Sequence, residues 1–371
     1  MRQGNEDNFL ILDLATSNSW AGIAHEATEI QTIQLGSQGA VFAVSDGMGG
    51  ALAGEVASRM AVEIVRDLIP RLRTQEEYRQ LTLQEQLRVA IEQANAAIHI
   101  ESIVNAECRG MGATFTAVAL ADDHACFAQV GDSRAHLIRQ GQITRITKDQ
   151  SVVQQLIDLG QITEEQAATH PRRNYILQAL GATNEIDVVV SYLPLRAGDL
   201  LLLCSDGLSG KMSNEEMAQI VTEAEDFKEA CDKLIALANE RGGEDNITVL
   251  LVKVAGEALA APEDETVAPE FVPRPSTSPT EYLLEDVGLP PPVPAGDNDN
   301  LSSGQTIASD FPPSPAAIEQ FSPLVPAIEP SQPRTESEKR GLDGRKLVII
   351  CVIVALLLSA TAFYLNYRAK H

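Results

Sequence analysis

Val41-Phe42-Ala43-Val44-Ser45 runs without a break into Asp46-Gly47-Met48-Gly49-Gly50. The first five residues read as a hydrophobic strand, which carries its end to the rim of the core. The next five read as a turn that places one carboxylate at the rim of the core. Glycines beside it allow tight turning and close approach of the backbone to a ligand. The same pattern recurs along the chain. Phe127-Ala128-Gln129-Val130 leads into Gly131-Asp132-Ser133-Arg134, and Leu200 to Ser205 leads into Asp206-Gly207. Gly242-Gly243-Glu244-Asp245-Asn246 leads into Ile247-Thr248-Val249-Leu250, and Asn5-Glu6-Asp7 precedes Phe9-Leu10-Ile11-Leu12.

Each of these taken alone is an ordinary turn signal. Together, several carboxylates meeting at one rim repel each other unless a cation lies between them. An oxygen-only donor set selects Mg²⁺ or Mn²⁺ over Zn²⁺. Two such ions about 3.5–4 Å apart can bind a phosphate, activate a bridging water and stabilise the leaving oxygen.

Strands are expected over 39–45, 114–120, 124–131, 134–140, 199–204 and 247–254, with a turn at Gln140-Gly141. Helices are expected over 51–69 and 83–103. Capping boxes at Thr82-Leu83-Gln84-Glu85, Thr163-Glu164-Glu165-Gln166 and Ser213-Asn214-Glu215-Glu216 mark three helix starts. Neighbouring strands with helices between them give an α+β or layered domain rather than regular βαβ.

The 371 residues carry a net charge of −24, which argues against nucleic acid as a partner. Five scattered cysteines with no CxxC pair support neither a disulfide scaffold nor a thiolate zinc site. With no basic-then-apolar start, the expectation is a reducing, cytosolic setting. Residues 1–256 are expected to form the folded domain. Residues 257–338 hold 16 of the 19 prolines and 15 acidic residues against Arg274 and Arg334, and read as a disordered linker. The alternatives there are a small Pro-rich domain, or short apolar patches that dock a partner. Residues 339–371 read as a membrane anchor. Leu347 to Leu365 is 19 uncharged residues, about 28 Å as a helix and close to the bilayer core. Lys339, Arg340, Arg345 and Lys346 precede it and only Arg368 and Lys370 follow, which favours a single pass with residues 1–346 on the cytoplasmic side.

Six separated motifs stand in the order of the metal-dependent PP2C-type (PPM) Ser/Thr protein phosphatases. They are Arg2-x-x-Asn5-Glu6-Asp7, Asp46-Gly47-Met48-Gly49-Gly50, Gly112-Ala113-Thr114, Val130-Gly131-Asp132-Ser133-Arg134, Ser205-Asp206-Gly207-Leu208 and Asp245-Asn246-Ile247-Thr248. The resemblance covers about residues 1–256, and the Asp-Gly-Met-Gly-Gly form resembles the bacterial branch. It implies a four-layer α-β-β-α sandwich, two central antiparallel sheets flanked by helices, with two Mn²⁺ or Mg²⁺ ions at one end. Carried over by motif, Asp7, Asp46, Asp206 and Asp245 would be the carboxylates of that site. Glu6 would act beside them and Gly47 would offer its carbonyl. Asp132 resembles the residue that holds a third, weaker ion together with Asp206. Arg2 matches the arginine that grips the substrate phosphate, a task suited to a planar, permanently charged fork. Ser151 to Leu180 lies where the family has a substrate-facing flap.

Two departures are visible. Some relatives place a histidine, proposed as general acid, where this chain has Met48, which donates no proton; His25 lacks any supporting context for the role. The family also carries a strand ahead of the arginine, so the expectation is a late start or a sheet short of one edge strand.

The implied activity is hydrolysis of phosphoserine and phosphothreonine in proteins at the cytoplasmic face of a membrane. A membrane Ser/Thr kinase and its substrates would be the partners, or else a phosphorylated regulator of transcription. The rival reading is a weak or inactive phosphoprotein-binding module. A nucleotide loop at Gly47 to Gly54 is disfavoured, since its glycine spacing misses G-x-G-x-x-G and Asp46 would face a pyrophosphate.

Overall fold

A computed structural model describes residues 4–22, 30–257, 259–262, 270–272 and 347–355. In chain order β1 (Asn8–Asp13), β2 (Ser19–Gly22), β3 (Ile30–Leu35), β4 (Ala40–Ser45) and the two-residue β5 (Gly47–Met48) come first. Helices α1 (Ala51–Thr74) and α2 (Leu83–Val104) lead to β6 (Gly112–Ala113), β7 (Phe115–Ala121), β8 (His124–Val130), β9 (Arg134–Arg139) and β10 (Gln142–Arg145). Short helices α3 (Val152–Asp158) and α4 (Glu164–Ala168) precede β11 (Val189–Pro194), β12 (Leu200–Cys204) and the single turn α5 (Asp206–Ser209). The remaining elements are α6 (Asn214–Glu223), α7 (Phe227–Glu240), β13 (Thr248–Gly256), β14 (Glu270–Val272) and β15 (Leu347–Ala355).

All strand pairs are antiparallel. One sheet has the order β14-β11-β8-β7-β4-β1-β2, a second has β10-β9-β12-β13-β15-β3, and among the described residues β5 pairs only with β6. The side chains of β4 show how the layers stack. Ala40, Phe42 and Val44 pack with Leu201, Leu203 and Val252 of the other sheet. Val41 and Ala43, on the opposite face, pack with Ala57, Val65 and Ile69 of α1 and Ile91 of α2. Across the sandwich, Leu202 and Leu251 meet Met217 of α6 and Leu234 and Ile235 of α7. The result is four layers, helix–sheet–sheet–helix. Both faces of the central strands are covered, which is why they read as unbroken apolar runs. Phe42, Phe115 and Phe127 are fully buried, each contributing about 1.5–3 kcal/mol of transfer free energy.

The local signals act as chemistry dictates. Thr82, Thr163 and Ser213 each form a reciprocal capping box with Glu85, Gln166 and Glu216. Gln140 and Gly141 take φ of 51° and 76°, the left-handed pair that a two-residue turn between β9 and β10 requires.

Three expectations are corrected. Leu347–Ala355, the first half of the expected membrane helix, is a strand lying between β13 and β3. An all-apolar stretch has lost the periodicity that separates strand from helix, so its pattern permits both. Among the described residues no helix is long and apolar enough to cross a membrane, and residues 356–365 lie outside them. The folded domain continues past 256: Leu259 is buried in the inter-sheet core. Glu270–Val272, inside the expected linker, adds an edge strand to β11. The rest of that linker from 273 lies outside the described residues. Third, β13 is not an edge of the six-stranded sheet, since β15 pairs with it on one side and with β3 on the other, a place for which no strand was expected.

Candidate metal centre

Antiparallel pairing brings the acidic motifs to one end of the sandwich. Asn8, just after Asp7, lies opposite Ser45, just before Asp46. In the other sheet Cys204, two residues before Asp206, lies opposite both Val249 and Arg134. The β13 start thereby carries Asp245 and the β9 start carries Asp132 to the same rim.

The chain is folded tightly there. The Gly47 N–H donates to the Glu6 carbonyl at 3.1 Å. A Cβ on Gly47 would collide with the Gly54 carbonyl, and one on Gly54 would collide with the Glu6 carboxylate. Only glycine at both positions lets β5 and the start of α1 close over Glu6. Asp46 is held by Thr114: the Thr114 N–H donates to the Asp46 carbonyl at 2.8 Å, and the Asp46 N–H donates to Thr114 Oγ1 at 2.9 Å. Asn246 accepts from the Glu6 N–H through Oδ1 and donates to the Gly4 carbonyl through Nδ2, both at 3.0 Å.

Electrostatics link the carboxylates. Burial pushes Asp7 up to about 7, with Asp206 and Asp245 adding to the rise and hydrogen bonds from Thr248 and Ser205 opposing it. Asp46 is raised well above the usual range by burial and by Asp7, Asp206, Asp245 and Asp132. Asp132 is pushed up to about 8 by burial, then by Asp206 and Asp149, against the pull of Arg134. Arg134 itself is tied to Asp149 through Nε and Nη2, with a shortest contact of 2.6 Å, so this motif arginine is structural.

The residues suit hard cations. The donors are oxygens, Asp7 Oδ1 is buried with no hydrogen-bond partner among the described residues, and the mutual charge of the group favours a positive ion between its members. Among the described residues no three Asp, Glu, His or Cys side chains already form a metal-holding group.

Asp7, Asp46, Asp206, Asp245 and Asp132 are brought into mutual electrostatic range, with Glu6 and Gly47 packed beside them. Arg2 and His25 lie outside the described residues. Met48 sits half-buried on β5 across from Gly112. The flap segment is tied down at both ends, by bridges Ser151–Ile176 and Ala113–Leu180, and it exposes Leu159, Tyr175 and Leu177. Sequence reasoning gave no role to Ser205, Thr248, Thr114 and Asn246. Their place inside the six motifs was the available signal.

Residues 29–251 match the family model described as protein phosphatase 2C. The chain belongs to the protein phosphatase 2C family. It is 39% identical over 216 residues to the serine/threonine phosphatase stp of Listeria monocytogenes, covering 57% of this chain and 84% of that one. It is 33% identical over 324 residues to the serine/threonine protein phosphatase PstP of Mycobacterium tuberculosis, covering 86% of this chain and 55% of that one. The crystal structure of M. tuberculosis PstP/Ppp superposes with a TM-score of 0.54 at 34% identity, over 68% of this chain and 92% of that one. A PstP catalytic-domain structure described as a complex with two manganese ions is similar at a TM-score of 0.50 and 31% identity, over 66% of this chain and 97% of that one. Membership makes this protein phosphatase 2C chain a serine/threonine phosphatase.

Proposed function

We propose that this enzyme hydrolyses phosphoserine and phosphothreonine in proteins at the strand-end carboxylate site, using two Mn²⁺ or Mg²⁺ ions and a third, weaker one. The single observation that carries the reading is the convergence of Asp7, Asp46, Asp206 and Asp245, where Asp206 and Asp245 raise the proton affinity of both Asp7 and Asp46, at the rim where Asp7 Oδ1 has no hydrogen-bond partner among the described residues. The ions, when bound, supply an activated water and neutralise the phosphate charge. Asp7, Asp46, Asp206 and Asp245 would hold the pair, with Glu6 alongside and the Gly47 carbonyl contributing. Asp132 and Asp206 would hold the third. Arg2 would grip the phosphate of the substrate. Met48 carries no transferable proton, so proton delivery to the leaving serine or threonine oxygen falls to water or another group.

Physiological substrates follow from chemistry only as phosphorylated Ser/Thr proteins, and a membrane kinase with its substrates is the partner we favour. Placement at the cytoplasmic face of a membrane rests on the uncharged stretch 347–365 and its basic flank. Such an anchor would have to withdraw β15 from its sheet, so fractionation of the full chain tests it directly: recovery in the soluble fraction would exclude the anchor.

Phosphate release from a phosphothreonine peptide by the full chain tests the activity. Turnover is expected with Mn²⁺ and none with EDTA. Phosphopeptide binding without turnover in either condition would favour the binding-module reading instead.

A further inference from the structure

Asp7 offers two carboxylate oxygens, and the structure treats them differently. Oδ2 accepts from Thr248 Oγ1 at 2.7 Å and from Ser205 Oγ at 2.8 Å. Oδ1 is buried and, among the described residues, accepts from nothing. We propose that Ser205 and Thr248 are positioning residues that clamp Asp7 Oδ2 and leave Oδ1 as the one atom of this carboxylate offered to a metal. The inference rests on the metal-site reading above and adds to it the residues that set how Asp7 binds.

The clamp is built so that its protons have one destination. Ser205 Oγ receives the Thr248 N–H at 3.0 Å, so its own single proton must go elsewhere. The choices are Asp7 Oδ2 at 2.8 Å and the Asn246 carbonyl at 3.5 Å, and the shorter bond to a charged acceptor wins. Thr248 Oγ1 adds the second donor. Both hydroxyls are buried, Ser205 and Thr248 being about 1% exposed, so water does not compete for the oxygen. With two donors on Oδ2, bidentate capture of an ion would cost those bonds in a buried site.

The clamp also joins the two sheets. Asp7 enters β1 of the seven-stranded sheet, while Ser205 follows β12 and Thr248 opens β13 of the six-stranded sheet. Sliding one sheet against the other at this end would break it. Ligating carboxylates generally owe their orientation to such outer partners, and removing one typically costs about 10–100-fold in metal affinity.

The test is calorimetric titration of Mn²⁺ into the full chain for wild type, Thr248→Val, Thr248→Ser and Ser205→Ala, with melting temperature measured on each metal-free protein. Thr248→Val keeps the side-chain volume and loses only the hydroxyl. Mn²⁺ affinity is expected to fall about tenfold or more in Thr248→Val and Ser205→Ala and to return toward wild type in Thr248→Ser. Unchanged affinity in the folded variants would overturn the clamp while leaving the phosphatase reading intact. So would a loss in Thr248→Val that Thr248→Ser fails to restore, since shape rather than the hydroxyl would then be responsible. Absence of Mn²⁺ binding by the wild type would instead sink the underlying site.

Discussion

Thr114 and Asp46 hold each other reciprocally: the backbone N–H of each donates to the other residue, to the carbonyl of Asp46 at 2.8 Å and to the hydroxyl of Thr114 at 2.9 Å. Thr114 Oγ1 also shares a proton with Ser133 Oγ at 2.8 Å, and Thr114 is 1% exposed. Thr114→Val keeps the shape and strands two buried polar groups. The expected cost is about 1–3 kcal/mol of folding stability together with weaker Mn²⁺ binding. Chemical denaturation and metal titration of the same preparation check it. A stable variant with full metal affinity would show that Asp46 is held by its strand alone.

Metal-free protein should lose stability as pH rises. Asp7 and Asp132 are pushed up from an ordinary 3.8 to about 7 and about 8 by burial and by neighbouring carboxylates. Between pH 4 and those values the folded state binds more protons than the unfolded one, so each group takes away up to about 1.4 kcal/mol per pH unit. Below pH 4 both states are protonated and the contribution vanishes. Bound Mn²⁺ needs the ionised carboxylates, so its stabilisation must grow with pH. The melting-temperature difference between Mn²⁺ and EDTA samples should therefore be larger at pH 8 than at pH 5. An equal difference at both would mean that these groups do not hold the ion.

At the other end of the same strands the chemistry is structural. Arg139 Nε and Nη2 both reach the Asp199 carboxylate at 2.8 Å, and Asp199 is fully buried. Asp199→Ala strands a charge and should cost about 3–5 kcal/mol. The pair lies about 17 Å from the acidic rim, five strand residues at roughly 3.3 Å each. Mn²⁺ affinity of the folded variant should match wild type, as calorimetry would show. A marked loss of affinity would reveal coupling along β9 and β12.

The strand β15 makes truncation informative. It is the sole strand neighbour of β3 among the described residues and covers the edge of β13 over nine residue pairs. Ending the chain at residue 346 should lower the melting temperature by several degrees and weaken protection of β3 and β13 amides in hydrogen exchange. An unchanged melting temperature would show that β15 adds nothing to the stability of this sheet.

What the sequence revealed and what it hid have physical causes. Asp46, Asp206 and Asp245 were legible because an apolar run ending in Asp beside Gly or Asn marks a strand end. The caps at Thr82, Thr163 and Ser213 were legible because their chemistry is local. Strands β2, β3 and β10 were missed, being short edge or near-edge strands with polar residues exposed. The helix α7, capped by Asp226, had a legible signal in Ala230, Leu234 and Ala238, which repeat at four-residue spacing. The partners of Asp7 were hidden for another reason. Ser205 and Thr248 lie 198 and 241 positions away, and only the pairing of sheets brings them together.

The central claim, that these carboxylates run metal-dependent phosphoester hydrolysis, is tested most directly by Asp206→Asn. The substitution keeps the size of the side chain and removes the charge that raises both Asp7 and Asp132. Phosphate release from a phosphothreonine peptide should be followed with the full chain, wild type beside variant, over a range of Mn²⁺. The expected result is Mn²⁺-dependent turnover by the wild type and a loss of about 100-fold or more in the variant, with its fold intact by circular dichroism. Equal turnover by a folded Asp206→Asn protein would contradict the assignment of the site.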